Sequence, residues 1–402
     1  MRRETWIEIV DKIYVIGLMG LFVYVFLSVF VFLQRAEAHY TTFISAVFLL
    51  PILVAIKKFL QETKSKGFFF WLRLSLLWLL LMAVLGSSIY IWFESARLTT
   101  AMGFINDLDL IIGLIFTGVI LVVTAMFWGK LIAAIIGIGI LYGFYGHLLP
   151  AFSHPYSSPN YIMSRIGMSM TDGYYWFARL AADKIFLLVV FAGLLFTLGG
   201  FRLFLEIGKS LARYTPGGAA FPSLISSSAV GAVMGQAVSN IALTGSITIP
   251  MMKKRGFQPE FAGAIETVIS TSGQLLPPIL GLGGFIMAGL LEIAYIKIAL
   301  NSFIPGMLYV FVTIIGVLVA AAAYRIPSSI EPVDRGVIYY NLPIFLVPFI
   351  TILYVLLRFY TPMFAGAFGL ITIVGIVFIM SGIRRRFPPL KDIFNGFKQG
   401  TE

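Results

Sequence analysis

The sequence predicts an all-α, polytopic membrane protein with about ten transmembrane helices and one re-entrant helical hairpin. Three observations carry this expectation. Of the 402 residues, 59% are hydrophobic and 12% charged, with a mean hydropathy of +0.95, more apolar surface than a water-soluble domain can hide. Apolar runs of about twenty residues, the helical length that crosses ~30 Å of hydrocarbon, recur from end to end. The formal charge of +11 sits in short loops between these runs, a pattern that sets topology and leaves no need for a nucleic-acid partner. The absence of cysteine excludes disulfides and thiolate metal sites.

In chain order, the apolar runs place spans near residues 13–33, 40–56, 68–93, 108–128, 131–149 and 185–201. Four more follow near 261–291, 299–323, 342–358 and 362–381. The first run exceeds the roughly 7–15 residues of a signal-peptide core and no small-residue cleavage site follows it, so it is read as a retained helix. Arg2, Arg3 and Lys12 precede the first span, Lys57, Lys58, Lys64 and Lys66 follow the second, and Lys130 follows the fourth. This places the N-terminus in the cytoplasm. The group Arg202, Lys209 and Arg213 then also lies inside, and the segment 150–179 outside, with Arg165 and Arg179 as exceptions to the rule. Arg73, near the start of the third span, is expected to snorkel to the interface, with a structural salt bridge as the alternative. Most tryptophans lie near span ends, as an aromatic belt requires. His147 and His154 flank Pro150 at the outer face, and Tyr156 to Arg179 reads as an amphipathic arm along the membrane.

The stretch "SSSAVGAVMGQAVSNIALTGSITIPMM" at 226–252 carries no charge yet is rich in Ser, Thr, Gly, Gln and Asn. It lies between two basic groups, Arg213 and "MKKRG" from Met252, which the alternation of sides puts on the same face. Two full crossings would need about 40 apolar residues plus a turn. Residues 217–252 are too few and too polar in the middle, so a re-entrant hairpin is expected, with its tip in "MGQAVSN" at 234–240. A pair of helices packed closely through small residues is the alternative.

The next run, "FQPEFAGAIETVISTSGQLLPPILGLGGF", starts a helix at Pro259 and Glu260 and repeats Glu266, Ser270 and Gln274 at i, i+4 and i+8, one polar stripe. Pro277 and Pro278 cannot donate backbone hydrogen bonds, and their rings oppose the carbonyls of Gly273 and Gln274, so the helix should break. Freed carbonyls beside the hydroxyls of Ser270, Thr271 and Ser272 are oxygen ligands suited to a dehydrated alkali cation, and discontinuous helices are where secondary transporters hold ions and substrate. A proline kink without a ligand is the competing reading. Glu266, an ionisable residue inside a span, is a functional candidate by default, with a buried ion pair as the alternative. No His/Glu metal pair and no Ser with a base at helical spacing supports an intramembrane enzyme. The glycines at 281–284 lack the Lys and the strand-to-helix context of a phosphate loop.

The block "GQAVSNIALTGSITIPMMKKRGFQPEFAGAIETVISTSGQLLPPILGLGGFIMA", 235–288, resembles the large-subunit core of tripartite ATP-independent periplasmic (TRAP) transporters. The likeness is strongest to fused permeases of the TAXI type, in which a four-helix small-subunit-like part precedes the large subunit; "YGHLLP" at 145–150 and the four preceding spans fit that pattern. The resemblance implies a four-helix domain over 1–128 and the first half of the large subunit over 129–402, with the hairpin at about 217–252 and the broken helix at about 259–291. It implies an elevator-type, sodium-coupled importer of small organic anions, not an enzyme, in the prokaryotic cytoplasmic (inner) membrane. An extracytoplasmic binding protein of the TAXI type would deliver the substrate; no cofactor beyond the coupling sodium is implied. Carried over, Gly235, Ser239, Asn240, Thr244 and Gly245 belong to the first hairpin, and Ser270, Thr271, Gly273, Gln274, Pro277 and Pro278 to the broken helix. Together with Glu266 they are the sodium and substrate candidates, sodium being held through Ser239, Asn240, Ser270, Thr271 and nearby carbonyls. The chain departs from the family pattern at Gln236, Ser239, Leu243 and Ser272, where Ser, Ala, Thr and Gly are usual.

Only one hairpin-plus-broken-helix unit is visible, and "RRRFPPLKDIFNGFKQGTE" at the end resembles the amphipathic lead-in to a second inverted repeat. The expectation is therefore a permease that needs its second half, with a non-transporting remnant or assembly component as the alternative.

Overall fold

A computed structural model describes residues 3–31, 35–62, 67–101, 103–212, 217–326, 332–384 and 389–402. Arg2, Lys64, Lys66 and Arg213, used above to orient the spans, and Arg385 and Arg386 of the C-terminal stretch lie outside the described residues. All regular structure among the described residues is helical, and nine stretches are long and apolar enough to cross a membrane. The chain is a multi-pass, all-α membrane protein. It divides into two compact units, Met1–Ala182 and Asp183–Glu402.

The first unit contains α1 (Arg3–Ser28), α2 (Ala36–Glu62), α3 (Phe68–Thr100), α4 (Asp107–Phe127), α5 (Lys130–Tyr145), α6 (Pro159–Met163) and α7 (Gly173–Leu180). Consecutive helices from α1 to α5 pack on one another, as short connections dictate. The start of α4 is fixed by a reciprocal cap: Asn106 Oδ1 accepts from Asp109 N at 2.8 Å and Asp109 Oδ2 accepts from Asn106 N at 2.9 Å. The first span is displaced from the expected 13–33, because its helix runs from Arg3 only to Ser28. The segment 156–179 does not lie free as an arm. Met163, Met168 and Tyr175 are fully buried in the core of this unit with Phe116 and Ile91. Arg165 bonds Asp172 at 2.9 Å on the exposed side, which leaves the apolar face free to pack. Outside the spans, His154 turns Nδ1 to the Pro155 carbonyl at 2.8 Å and Nε2 to the Tyr142 carbonyl at 3.0 Å. Two carbonyl acceptors favour the doubly protonated ring and raise its pKa above the ordinary histidine value.

The second unit contains α8 (Phe186–Thr197), α9 (Gly200–Ala212), α10 (Phe221–Met234), α11 (Ala237–Lys254), α12 (Pro259–Thr271), α13 (Leu282–Leu290), α14 (Tyr295–Ala323), α15 (Arg335–Leu357), α16 (Pro362–Ile383) and α17 (Leu390–Thr401). The run expected at 185–201 ends earlier, at Thr197, because Gly199 at φ +99° turns the chain into α9. Helices α15 and α16 pair, and α17 packs against α8 through Gly396 and Gly400. A Cβ on Gly193 would stand 2.5 Å from the Gly400 Cα, so the two helices meet backbone to backbone. The expected run 261–291 is two short helices, α12 and α13, joined by an irregular link, so the helix is broken as expected.

Candidate functional site

Helices α10 and α11 form a tight hairpin. Gly235 takes the left-handed conformation at φ +66°, its N–H bonds the Gly231 carbonyl at 2.7 Å, and Gln236 is extended before α11 begins at Ala237. This is a glycine helix stop. The turn is shorter than the 234–240 tip expected from sequence, because Ala237 to Asn240 already carry helical backbone.

Beside the hairpin, α12 ends at Thr271, a 3-10 turn covers Ser272–Gln274, and α13 starts only at Leu282. The Pro277–Pro278 link, a cis peptide, lies in the gap. Its neighbours find partners elsewhere: Ile279 N donates to the Ala232 carbonyl at 3.1 Å and Leu280 N to Tyr295 Oη at 2.9 Å. Tyr295 Oη in turn donates to the Pro278 carbonyl at 2.7 Å, and Gly281 N to the Gln274 carbonyl at 3.3 Å. Non-helical backbone is thus held inside protein, the condition for its survival at membrane depth. Where α10 crosses the break there is room only for glycine: a Cβ on Gly273 would lie 2.4 Å from the Gly231 Cα.

Glu266 projects from α12 into this crossing and is fully buried. Three helices surround its carboxylate with hydroxyls. On Oε1 it accepts from Ser227 at 2.6 Å, from Thr244 through a short bond, and from Ser270 at 3.2 Å. On Oε2 it accepts from Ser223 at 2.6 Å and Thr248 at 2.5 Å. Among the described residues no Lys, Arg or His nitrogen comes within 4.0 Å of it. Each donor stands at i, i+4 on its own helix: Ser223 and Ser227 on α10, Thr244 and Thr248 on α11, Glu266 and Ser270 on α12, so each pair faces the same side. A hydroxyl carries one rotatable proton and two lone pairs. The same five oxygens that solvate an anion can therefore turn their lone pairs toward a cation.

Asn240, one turn before Thr244, is also fully buried. Its Nδ2 donates to the main-chain oxygens of Ser227 at 2.7 Å and Ser270 at 3.4 Å, which fixes the orientation of the amide. Oδ1 has no donor. A buried acceptor left unsatisfied costs roughly 1–3 kcal/mol, a penalty that a cation at Oδ1 would remove. The residues present fit a small hard cation: one neutral amide oxygen, hydroxyls and a carboxylate within one cluster.

The other sequence-derived candidates divide by position. Gly235 lies against the Ile279 and Leu280 carbonyls, and Gly245 against Glu266, whose Cγ would be 3.1 Å from an added Cβ; both are sites of close approach. Ser239 donates to Gln236 Oε1 at 3.3 Å at the hairpin turn, Thr271 donates to the Thr267 carbonyl at 2.9 Å, and Gln274 is exposed. These three are not brought to Glu266. The expected stripe Glu266, Ser270, Gln274 stops at its second member because the helix does. Sequence reasoning did not select Ser223, Ser227 and Thr248, although the i, i+4 repeat of hydroxyls in "SLISSSAV" and "TGSIT" was the signal.

Comparison with known proteins identifies the chain. The family described as "Tripartite ATP-independent periplasmic transporter, DctM component" matches residues 68–402. Among curated proteins, similarity extends to "Uncharacterized protein YgiK" of Salmonella typhimurium, 28% identical over 228 residues, covering 53% of this chain and 49% of that protein. "Uncharacterized protein y4mL" of Sinorhizobium fredii is 30% identical over 107 residues, 27% of this chain and 25% of that protein. "Isethionate TRAP transporter permease protein DctMQ" of Oleidesulfovibrio alaskensis is 29% identical over 119 residues, 29% of this chain and 18% of that protein. The matched stretches thus cover half or less of the length of these relatives. With a family match that takes in the hairpin, the broken helix and most of both units, the chain belongs to the DctM component family of tripartite ATP-independent periplasmic transporters.

Proposed function

We propose that the chain is a membrane permease subunit of a sodium-coupled secondary transporter that imports small organic anions across the prokaryotic inner membrane. An extracytoplasmic binding protein of the TAXI type delivers the substrate, and a second repeat of the large subunit shares the pocket. The observation that carries this reading is that, among the described residues, the buried Asn240 Oδ1 has no donor one helical turn from Thr244, itself bonded to a carboxylate whose donors are hydroxyls. Asn240 Oδ1, Glu266 and the hydroxyls of Ser227, Thr244 and Ser270 hold the cation. Its arrival orders the contact between the hairpin and the broken helix, the two elements a re-entrant architecture brings together at mid-membrane. The similarity to the isethionate TRAP transporter permease protein of Oleidesulfovibrio alaskensis supports a small organic anion as the class of substrate.

The test is thermal unfolding of the purified chain in sodium, potassium and choline chloride at equal ionic strength. A ligand present at 100 times its Kd stabilises by about 2.7 kcal/mol, so sodium alone should raise the midpoint, and Asn240→Leu should lose the rise. Equal midpoints in the three salts would remove the site. Membrane placement has its own check: single cysteines at Arg213 and Lys253 should be labelled from the same side of the membrane, and labelling from opposite faces rejects the re-entrant hairpin.

A further inference from the structure

In the first unit, the C-terminal end of α2, the N-terminal half of α3 and the C-terminal end of α4 line a half-open cavity of about 890 Å³. Its walls are apolar along most of their length, with Leu76, Leu80 and Ala83 on α3 facing Val122 and Met126 on α4. Its charged groups gather at one end: Lys58 and Glu62 from α2 and Arg73 from α3. Glu62 lies 3.9 Å from Lys58 with both side chains about two-thirds exposed, a surface pair that holds little of the lysine's charge. Among the described residues no carboxylate lies within 4.0 Å of Arg73. Its guanidinium instead sits 5.2 Å from the centre of the Phe59 ring, and Phe59 is itself buried and stacked on Phe70 at 5.3 Å. Contact with a ring face positions the planar cation while leaving its N–H fork unspent, and that fork matches a phosphate.

The dimensions select the ligand. From Arg73 to Ala83 the helix rises ~15 Å at ~1.5 Å per residue, half of the ~30 Å hydrocarbon core. An apolar channel one leaflet deep with two cations at its outer end suits an acyl chain carrying an anionic headgroup. Free phosphate would leave the apolar wall unused, and a peptide helix would bury the two cations without a partner.

We propose that this cavity is a binding site for one anionic phospholipid, its phosphate on Arg73 and Lys58 and an acyl chain along Leu76, Leu80 and Ala83. The lipid ties α2, α3 and α4 together at the end where α3 begins.

Native mass spectrometry of the purified full chain, titrated with phosphatidylglycerol or with phosphatidylcholine of the same acyl chains, tests the proposal. A basic residue near an anionic headgroup contributes enough that two of them should give roughly tenfold or greater preference for phosphatidylglycerol, as one retained lipid. The double variant Lys58→Gln, Arg73→Gln should bring phosphatidylglycerol down to the level of phosphatidylcholine, and Ala83→Trp, which fills the apolar wall, should lower retention of both. Arg73→Lys keeps the charge without the fork and should retain part of the preference, between the wild-type chain and the double variant, which separates loss of the site from loss of fold. Equal retention of the two lipids by the wild-type chain, an unchanged preference in the double variant, or a second copy of the chain in place of lipid would overturn it.

Discussion

Asp109 in the first unit and Glu266 in the second are both fully buried carboxylates inside apolar helices, yet they are satisfied in opposite ways. Asp109 is met by fixed donors. Arg97 bonds it through both terminal nitrogens at 2.9 and 2.7 Å, Tyr90 Oη donates at 2.8 Å and Asn106 N at 2.9 Å. Arg97 is 40% exposed and also bonds Glu94, so the pair reaches water on one side. Among the described residues, Glu266 has no Lys, Arg or His nitrogen within 4.0 Å, and its hydrogen-bond donors are rotatable hydroxyls. A carboxylate that is paired and forked has one stable arrangement and acts as a clamp between α3 and α4. One that is unpaired within turnable donors retains an electrostatic demand that a mobile cation can meet. Asp109 lies beside Asp107 in the first turn of α4, where a capping acid is expected, whereas Glu266 lies in the interior of α12; what gives the two their opposite roles is the chemistry of the neighbours.

The comparison is broken most severely by neutralising each acid in turn. Glu266→Gln keeps the shape and leaves the hydroxyls able to accept from the new amide, while removing a buried charge, so stability in potassium should change by no more than about 1 kcal/mol. Sodium affinity should fall by roughly 10–100-fold, as expected when a group supporting a metal site is lost. Sodium-dependent uptake by the complete transporter with its binding protein should fall with it. Asp109→Asn should do the reverse. The new amide directs donors at the Arg97 guanidinium or at Asn106 N, and donors facing donors in a buried place cost about 2 kcal/mol, read as a lower unfolding midpoint, with the sodium-induced rise intact. If Glu266→Gln lowers the midpoint as Asp109→Asn does and spares the sodium rise, the two acids are the same kind of structural group.

Gly273→Ala sharpens the contrast without touching either acid. The added methyl would meet the Gly231 Cα at 2.4 Å, backbone against backbone, so α12 must shift from α10 at about 1–3 kcal/mol. Because Asn240 Nδ2 is anchored on the main chain of both α10 and α12, the shift should weaken sodium binding along with stability. A loss of stability alone would show that the cation does not depend on the helix crossing.

Much of this site was legible before the structure. A break after Gln274 follows from Pro277 and Pro278, and a hairpin turn at Gly235 from a glycine in an uncharged stretch, because both are local backbone rules. Which polar residues converge is a different kind of information. Ser239 and Thr271 carry the right atoms but face the turn and their own helix, whereas Ser223 lies far from Glu266 in sequence and bonds it at 2.6 Å. Helical periodicity fixes which residues share a face; it does not fix which face meets which. The segment 156–179 misled for the same reason: Arg165, Asp172 and Arg179 mark one polar side, but only the packing shows that Met163 and Tyr175 on the other side meet protein instead of lipid.

The finest distinction lies between the two oxygens of Glu266. Ser227, Thr244 and Ser270 stand on Oε1, and the main-chain oxygens of Ser227 and Ser270 also anchor Asn240. Ser223 and Thr248 stand on Oε2. A cation held by Asn240 Oδ1 therefore draws on the Oε1 side. Removing one hydroxyl there, as in Ser227→Ala, should raise the sodium concentration at half-maximal stabilisation by about fivefold, equivalent to ~1 kcal/mol for one ligand. Ser223→Ala should leave that concentration within about twofold, because it removes only a hydrogen bond that the carboxylate holds in either state, and its effect should appear instead as a slightly lower midpoint in every salt. Equal shifts for the two serines would mean that the carboxylate takes the cation on both faces. A larger shift for Ser223 would move the cation to Oε2, away from Asn240, and the donorless amide oxygen would no longer be its ligand.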